Sequence, residues 1–326
     1  MHSVLLIIAG LVLFLYALNT LSEGLSNVAG DKLKYFLDRF TNNVIKGIIA
    51  GLIVTILLDS SSVVIIMTIA LVNTRAMTFR QAMGVVMGAN IGTTISSQIF
   101  ALNVGEYAAL PILAGFIMMF VIKNKFYKNL GRVVFSFGLI FFGLYTMEEA
   151  VEPLKKSDYF VSWLASLENT WKGMFTGAFV TLIIQSSSAT VGMVIGLASK
   201  GLITITAGIA VMLGAELGTC ADTLVASIGR TRAAIKTGLF HLLFNVVTIT
   251  IGMISLPYFT QLVMYISSSA SPQQTIANAH MLFNGLGVLI MIPFVGLYER
   301  FLNFIVPSKK EKAGELQVET IQTSKS

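Results

Sequence analysis

Apolar segments follow one another along almost the whole chain, with short polar or glycine-containing stretches between them. A helix needs about 20 apolar residues to cross a bilayer, so this pattern predicts an all-α polytopic membrane protein. Two segments are too long for one upright helix and carry polar residues at their centres. We expect each of these to form a re-entrant helical hairpin, because irregular backbone at membrane depth must face protein or water. The segments are 4–22, 44–73 (first hairpin), 82–102, 107–122, 133–147, 173–199 (second hairpin), 202–228, 234–256 and 275–306.

The composition agrees with a membrane protein and excludes several other classes. Apolar residues make up 55% of the 326 residues, charged residues make up 12%, and mean hydropathy is +0.80. Cys220 is the single cysteine, so disulfides and a cysteine metal cluster are excluded. No HExxH, Walker loop or GxSxG motif occurs, which predicts a protein that is not an enzyme and needs no cofactor. The net charge of +6 is typical of cytoplasmic Lys and Arg in a membrane protein and gives no reason to expect nucleic acid as a partner.

Lys and Arg are concentrated in alternate loops, and this distribution predicts the orientation. We place the loop KNKFYKNLGR (123–132) in the cytoplasm. The same side then receives the loops 23–46, 73–81 and 229–236 and the tail after 306. The opposite side keeps only four lysines, near the acidic stretch EEAVEP. By the positive-inside rule we expect a protein of the plasma (inner) membrane with its N-terminus outside and its C-terminus in the cytoplasm. The side of 257–274 stays open.

The first half of the chain is repeated in the second half at a constant offset of 126 residues. VTILLDSSSVVIIMTIAL at 54–71 returns as VTLIIQSSSATVGMVIGL at 180–197. GANIGTT at 88–94 returns as GAELGTC at 214–220. The identities fall on Gly, Ser and Thr rather than on interchangeable apolar residues, which indicates a duplication. The predicted units are 1–132, with hairpin 44–73 and a broken helix at 82–102; 133–306, with hairpin 173–199, a broken helix at 202–228 and extra C-terminal helices; and a polar cytoplasmic tail at 307–326.

The two copies are predicted to have inverted topology. Under the loop assignment, the first copy begins outside and its hairpin opens to the cytoplasm, whereas the second copy begins inside and its hairpin opens outward. Inverted repeats are common in secondary transporters, where two broken elements meet near the bilayer midplane and hold substrate and ions. Alternating access follows because each copy can adopt the conformation of the other.

Three acidic residues, Asp59, Glu216 and Asp222, lie within the predicted spans. A carboxylate at mid-membrane costs about 2.5–3.5 kcal/mol on insertion scales, and no Lys or Arg lies in the same spans to offset that cost. The counterparts in the other copy are Gln185, Asn90 and Ser96, all neutral. We therefore expect these acids to bind a cation or a proton.

Hydroxyl and imidazole groups provide further candidates. A serine hydroxyl can donate to an anionic oxygen and can offer its own oxygen to Na⁺, so the triplets Ser60–Ser62 and Ser186–Ser188 are predicted to line a transport site. The polar residues of GANIGTT and GAELGTC favour a helix break that faces a cavity. HLLFN at 241–245 and HMLFN at 280–284 place His and Asn on one helical face, and a structural bond between helices is the favoured interpretation for them.

These residues resemble the type II sodium-dependent phosphate cotransporter family over about residues 4–306. That family has two inverted repeats, each with a Gln-Ser-Ser-Ser signature, which QSSSAT at 185–190 matches fully. GANIGTT is similar to its second repeated signature, and the two FN segments are similar as well. The resemblance implies sodium-driven uptake of inorganic phosphate across the lipid bilayer, in a bacterial member without the PhoU-like C-terminal domain that some relatives carry.

Under this hypothesis both copies contribute ligands, and whether the chain forms a homodimer stays open. Phosphate would contact Ser60, Ser61, Ser62, Ser186, Ser187, Ser188, Asn90 and Thr94. The coupling ion, Na⁺ or a proton, would be held by Asp59, Gln185, Thr93, Thr219, Glu216 and Asp222.

The acids are also where this chain departs from the family pattern. Asp59 stands where the first signature has Gln, and Glu216 stands where Asn is expected. Because free carboxylates repel a phosphate dianion, either bound cations neutralise them or the chain moves another substrate. One alternative is a cation or proton antiporter that uses Asp59, Glu216 and Asp222. A more remote one is a membrane-embedded phosphatase, which would require an Arg or several acids around a phosphate site, and no Arg lies near the centre of a predicted span.

Overall fold

The computed structural model describes residues 2–102 and 104–307, apart from the side chains of 26–34, 38–40 and 152. Within these residues the regular structure is helical and contains no strand, which confirms the all-α prediction. The tail predicted at 307–326 lies outside the described residues beyond 307. The helices are α1 (His2–Phe40), α2 (Val44–Leu58), α3 (Ser61–Asn73), α4 (Phe79–Phe100), α5 (Ala109–Val121), α6 (Lys125–Val151), α7 (Asp158–Ala165), α8 (Thr170–Ile184), α9 (Ser187–Ser199), α10 (Ile205–Gly218), α11 (Cys220–Ser227), α12 (Arg232–Ile254), α13 (Leu256–Ile266), α14 (Pro272–Met291) and α15 (Val295–Ile305).

Several helical stretches of the described chain are long and apolar enough to cross a membrane. They are His2–Leu25, Lys125–Lys156, Ile205–Ser227, Arg232–Ile254 and Pro272–Ile305. A sixth is Phe79–Phe100 taken together with Gly105–Val121 as one span, with a bend of 78° between them. The helices α2, α3, α8 and α9 have only 13 to 15 residues, which at 1.5 Å per residue is too short for a 30 Å core. The loop predicted at 23–46 is mostly helical, because α1 continues to Phe40.

Helix boundaries recur at the offset found in the sequence. The bounds of α8 and α9 are those of α2 and α3 plus 126 residues. The capping residues recur too: Asn43 and Asn169 accept hydrogen bonds from backbone amides at the starts of α2 and α8, as Thr78 and Thr204 do for α4 and α10. A side-chain oxygen at the N-cap satisfies an otherwise unpaired amide. Identical capping residues at equivalent positions therefore start the equivalent helices at the same point of each copy.

Glycines of the two repeated signatures permit close packing of helices. A Cβ atom at Gly88 would lie 1.9 Å from the carbonyl oxygen of Ile48, and one at Gly214 would lie 1.8 Å from the carbonyl oxygen of Met174. Only glycine permits such an approach of two backbones. These contacts hold α2 against α4 and α8 against α10.

The broken helix predicted at 82–102 is wrong for the first copy, because α4 is continuous from Phe79 to Phe100. Its signature glycines serve the packing against α2 and leave the helical backbone intact. In the second copy the helix predicted at 202–228 is interrupted at Thr219, between α10 and α11.

Two hydrophobic clusters bind the halves of the chain together. The first cluster is centred on α2, α3 and α4 and includes Phe240 and Phe244 of α12. The second cluster is centred on α9 and α10 and includes Phe14 of α1 and Phe283 of α14. The short helices also cross between halves, since α3 packs against α11 and α9 packs against α4. Residues of opposite halves therefore meet at the short helices.

Candidate functional site

Each pair of short helices is interrupted at a non-glycine residue in the left-handed conformation. Asp59 follows α2 with φ 52° and ψ 31°, and Gln185 follows α8 with φ 58° and ψ 30°. This conformation costs a residue with a Cβ about 1–2 kcal/mol, which glycine would avoid. Both positions carry a polar side chain where glycine would cost less, which makes Asp59 and Gln185 candidates for a functional role.

The serine triplets begin the second helix of each pair. Ser60 Oγ accepts a hydrogen bond from the amide of Val63 at 3.3 Å, and Ser186 Oγ accepts one from the amide of Ala189 at 3.1 Å. The remaining serines, Ser61, Ser62, Ser187 and Ser188, lie in the first turns of α3 and α9 and are buried or half-buried. Free amides and partial positive charge at a helix N-terminus, together with hydroxyl donors, form a suitable environment for an anion.

Asp59 lies beside a cleft bordered by α1, α2, α4 and α6. Ser96 Oγ donates a hydrogen bond to Asp59 Oδ1. The cleft has about 550 Å³ of empty space, and among its described lining residues only Asp59 and Ser96 have polar side chains. A carboxylate and a hydroxyl side by side in an otherwise apolar cleft can coordinate a small cation.

Asp222 comes from the second half of the chain but lies at the first serine triplet. Its carboxylate lies beside the side chain of Ser62, the second residue of α3, and accepts a hydrogen bond from the amide of Thr223. Two carboxylates therefore approach the first triplet, Asp59 from the adjacent position and Asp222 from α11. The second triplet follows the neutral Gln185, which is exposed.

The other polar residues of the repeated signatures are buried, and most are already hydrogen-bonded. Thr93 and Thr94 each donate to the carbonyl oxygen three residues earlier, at 2.7 Å. Asn90 Nδ2 donates to Asn245 Oδ1 at 2.8 Å. Thr219 is 4% exposed at the interruption between α10 and α11. The threonine oxygens keep lone pairs for a cation, whereas the amide of Asn90 is engaged within the protein.

Glu216 has a protein partner that its own span did not reveal. Its Oε1 lies 2.9 Å from Nε2 of His280, and Nδ1 of the same ring lies 2.7 Å from Ser97 Oγ. Both side chains of the pair are buried, at 2% exposed for Glu216 and 0% for His280. The partner belongs to α14, 64 residues further along the chain.

Thr55 is a candidate that the sequence analysis missed. Its hydroxyl is buried and has no hydrogen-bond partner among the described residues. The counterpart Thr181 donates to Thr190 at 2.7 Å, but the residue equivalent to Thr190 is Val64. Thr55 lies one helical turn before Asp59, whose amide donates to the Thr55 carbonyl oxygen at 2.8 Å. A position-by-position comparison of the copies could have found it, because the sequence has Val64 where the partner of Thr55 would be expected.

Comparison with known families gives a match along most of the chain. The family model described as Na⁺/Pi-cotransporter matches residues 13–149 and 153–292. No solved structure matches the chain.

Relatives of this chain occur in bacteria and in animals. The uncharacterized protein YqeW of Bacillus subtilis is 28% identical over 301 residues, which cover 92% of this chain and 97% of that protein. The putative inorganic phosphate export protein YjbB of Escherichia coli is 25% identical over 326 residues, which cover 99% of this chain but only 60% of that protein. The human sodium-dependent phosphate transport protein 2B is 33% identical over 107 residues, 31% of this chain and 16% of that protein.

Proposed function

The chain belongs to the Na⁺/Pi-cotransporter family, and from this premise we propose that it couples the movement of inorganic phosphate to Na⁺ by alternating access. With several helices able to cross a membrane, it is a multi-pass protein of a phosphate transporter family. One observation carries the sodium coupling: two carboxylates flank the first serine triplet, Asp59 directly before it in the chain, with a hydrogen bond from Ser96, and Asp222 of α11 beside Ser62.

The Na⁺ ion is assigned to the interruption at Asp59. The carboxylate of Asp59 and the hydroxyl of Ser96 provide oxygen ligands there, and the unpartnered hydroxyl of Thr55, one helical turn earlier, is a further candidate. Neutral hydroxyls beside one carboxylate bind weakly enough to permit release. Asp222 is the anchor of a second cation position at Ser62. Further candidates for these positions are Gln185, Thr93 and Thr219.

We assign phosphate to the serine triplets at the N-termini of α3 and α9. The first turns of α3 and α9 offer amides and the hydroxyls of Ser60–Ser62 and Ser186–Ser188, with Thr94 of α4 as a further candidate. Unneutralised carboxylates near the first triplet repel an anion, and a bound Na⁺ removes this repulsion. Phosphate therefore binds well only after the cation, and this order is the physical basis of coupling.

We also infer the arrangement of the two copies in the membrane. Three features support two structural repeats: the equal boundaries of the short helices, their interruptions at Asp59 and Gln185, and the reciprocal packing of α3 with α11 and of α9 with α4. The basic loops support inverted insertion with the N-terminus outside, in which each pair of short helices is a re-entrant hairpin. Exchange of conformations between inverted copies then opens the site to each side in turn.

Transport of labelled phosphate into proteoliposomes tests the proposal. We expect uptake under an inward Na⁺ gradient and none when choline replaces Na⁺. Because the Escherichia coli relative is named as an export protein, the gradient is applied in both directions. The variant Thr250→Ala is a control, since the exposed hydroxyl of Thr250 bonds only to its own helix. Equal uptake in choline contradicts sodium coupling, and cation flux that persists without phosphate favours the antiporter.

A further inference from the structure

The motifs HLLFN and HMLFN make equivalent contacts in the two halves of the protein. Nδ1 of His241 in α12 lies 2.8 Å from Thr223 Oγ1, and Nδ1 of His280 in α14 lies 2.7 Å from Ser97 Oγ. Residues 97 and 223 are separated by 126 positions, the offset of the repeat. Both histidines are fully buried. Each histidine therefore bonds to the same repeat position: His280 to Ser97 in the first copy and His241 to Thr223 in the second.

These motifs also connect the copies to each other. In the first motif, His241 bonds to Thr223 of the second copy, whereas Phe244 packs in the first cluster. In the second motif, His280 bonds to Ser97 of the first copy, whereas Phe283 packs in the second cluster. Asn245 adds a direct bridge. It accepts from Asn90 of α4 at 2.8 Å and donates to the carbonyl oxygen of Glu216 in α10 at 2.7 Å.

The helix that supplies the second histidine is not the one that the repeat predicts. At the offset of 126, α12 corresponds to α5, and His241 corresponds to Gly115. Gly115 packs closely against the backbone of α6, with no space for a Cβ. α14 therefore takes in the first copy the role that α12 has in the second, although it lies outside the sequence repeat.

The two motifs differ at their asparagines, since Asn284 donates to the carbonyl oxygen of His280 in its own helix. They also meet different residues at one pair of repeat positions, where the second copy has Glu216 and the first has Asn90. Asn90 meets the amide of Asn245, whereas Glu216 meets the imidazole Nε2 of His280 at 2.9 Å. A carboxylate buried at 2% exposure needs a hydrogen-bonding or charged partner, and removing the partner leaves an uncompensated group. His280 meets this requirement from within the protein, so Glu216 needs no bound ion.

We propose that Glu216 is a positioning residue, which pairs with His280 to hold α4, α10 and α14 in register, and that the coupling cation is bound without it. The cation ligands are then Asp59 and Asp222, and this part rests on the proposed function. The two motifs act as paired connectors between the copies, one through His241, Phe244 and Asn245 and the other through His280 and Phe283.

Three variants test the pairing: Glu216→Gln, His280→Gln and the two together. The thermal unfolding temperature of the purified protein is measured together with the maximal uptake rate and the Na⁺ concentration for half-maximal uptake. We expect His280→Gln to lower the unfolding temperature and to reduce the maximal rate about tenfold or more, because it leaves Glu216 without its partner. In the double variant two amides can bond to each other, so the maximal rate should return to within about threefold of the Glu216→Gln value, and the unfolding temperature should return to that of Glu216→Gln.

The half-saturating Na⁺ concentration separates positioning from ion binding. Glu216→Gln should change it by less than about twofold, whereas loss of a charged ligand would raise it about tenfold or more. An increase of that size, or the absence of rescue in the double variant, overturns the proposal. If His280→Gln yields no folded protein, recovery of folded double variant is the rescue and its failure is the refutation.

His241 provides the matched control. It is equally buried and bonded to Thr223, but it does not pair with a carboxylate among the described residues. Adding Glu216→Gln to His241→Gln should therefore restore nothing, and restoration there would show that the rescue is not specific to the pair. The unfolding temperatures need no transport, so the coupling of Glu216 and His280 can be judged even where sodium-coupled phosphate uptake fails.

Discussion

Ser96 donates a hydrogen bond to Asp59, across the interface between α4 and the interruption after α2. In the second copy, Asp222 is equivalent to Ser96 and Gln185 is equivalent to Asp59. The carboxylate of the second copy therefore lies on α11 and not at the interruption after α8. Because Asp222 lies beside Ser62 of the first copy, both acids are close to the first serine triplet, and neither is close to the second in sequence or by a hydrogen bond among the described residues. Repulsion between them and an anion is relieved by a cation at that first triplet, which gives the proposed site a cation end and an anion end.

Neutralising Asp59 should weaken sodium binding more than phosphate binding. In Asp59→Asn the side chain keeps its shape and a hydrogen bond with Ser96 but loses its charge. We expect the half-saturating Na⁺ concentration to rise about tenfold to a hundredfold, from the value of a hydrogen bond to a charged group. Uptake in proteoliposomes at varied Na⁺ measures this shift, and an unchanged Na⁺ dependence would remove Asp59 from the cation site.

Thr55→Val should separate a ligand role from a structural one. The Thr55 hydroxyl is buried without a partner, so its removal should leave the free energy of unfolding unchanged or raise it by about 1 kcal/mol. Sodium affinity should fall. The matched variant Thr181→Val breaks the bond to Thr190 and should destabilise the protein by about 1–3 kcal/mol. Thermal unfolding of both variants, with uptake assays, provides the comparison; a loss of stability in Thr55→Val would speak against the assignment.

Glycine should be tolerated better than alanine at the two interruptions. Asp59 and Gln185 have φ angles of 52° and 58°, which glycine adopts without strain. We expect Gln185→Gly to unfold at a higher temperature than Gln185→Ala, by the equivalent of about 1 kcal/mol. Asp59→Gly should exceed Asp59→Ala in the same way, although both lose sodium-dependent uptake. Equal unfolding temperatures within each pair would show that the backbone is relaxed in the protein itself.

A methyl group at the helix contacts should disrupt the fold. Gly88→Ala and Gly214→Ala each place a Cβ within 2 Å of a carbonyl oxygen on the facing helix, so α2 or α8 must move outward. We expect a loss of about 1–3 kcal/mol or more in unfolding free energy. Gly285→Ala is the control, because no atom lies within 4 Å of its added Cβ. If Gly88→Ala is as stable as Gly285→Ala, α2 and α4 do not approach each other closely enough to exclude a methyl group.

Much of the helical arrangement followed from local signals. The caps at Asn43, Ser60 and Thr78, and their counterparts 126 residues later, act within one helical turn, so the starts of six helices could be read from short stretches. The interruptions after α2 and α8 coincide with the polar centres of the two long apolar segments. The continuity of α4 was not predictable in this way, because Gly88 and Gly92 suit a broken helix and a close contact equally well. Only the presence of α2 opposite them decides for the contact.

The sequence by itself determined the all-helical class, the offset of 126 and the residue types offered to the site. These properties depend on hydrophobic periodicity and on hydrogen bonds over three or four residues. Only the tertiary structure decided which acid meets which partner. Asp222 reaches Ser62 because α11 packs against α3, and Glu216 meets His280 because α14 lies between the copies. Partners so far apart along the chain are chosen by how whole helices fit together, and no local pattern of residues records that fit.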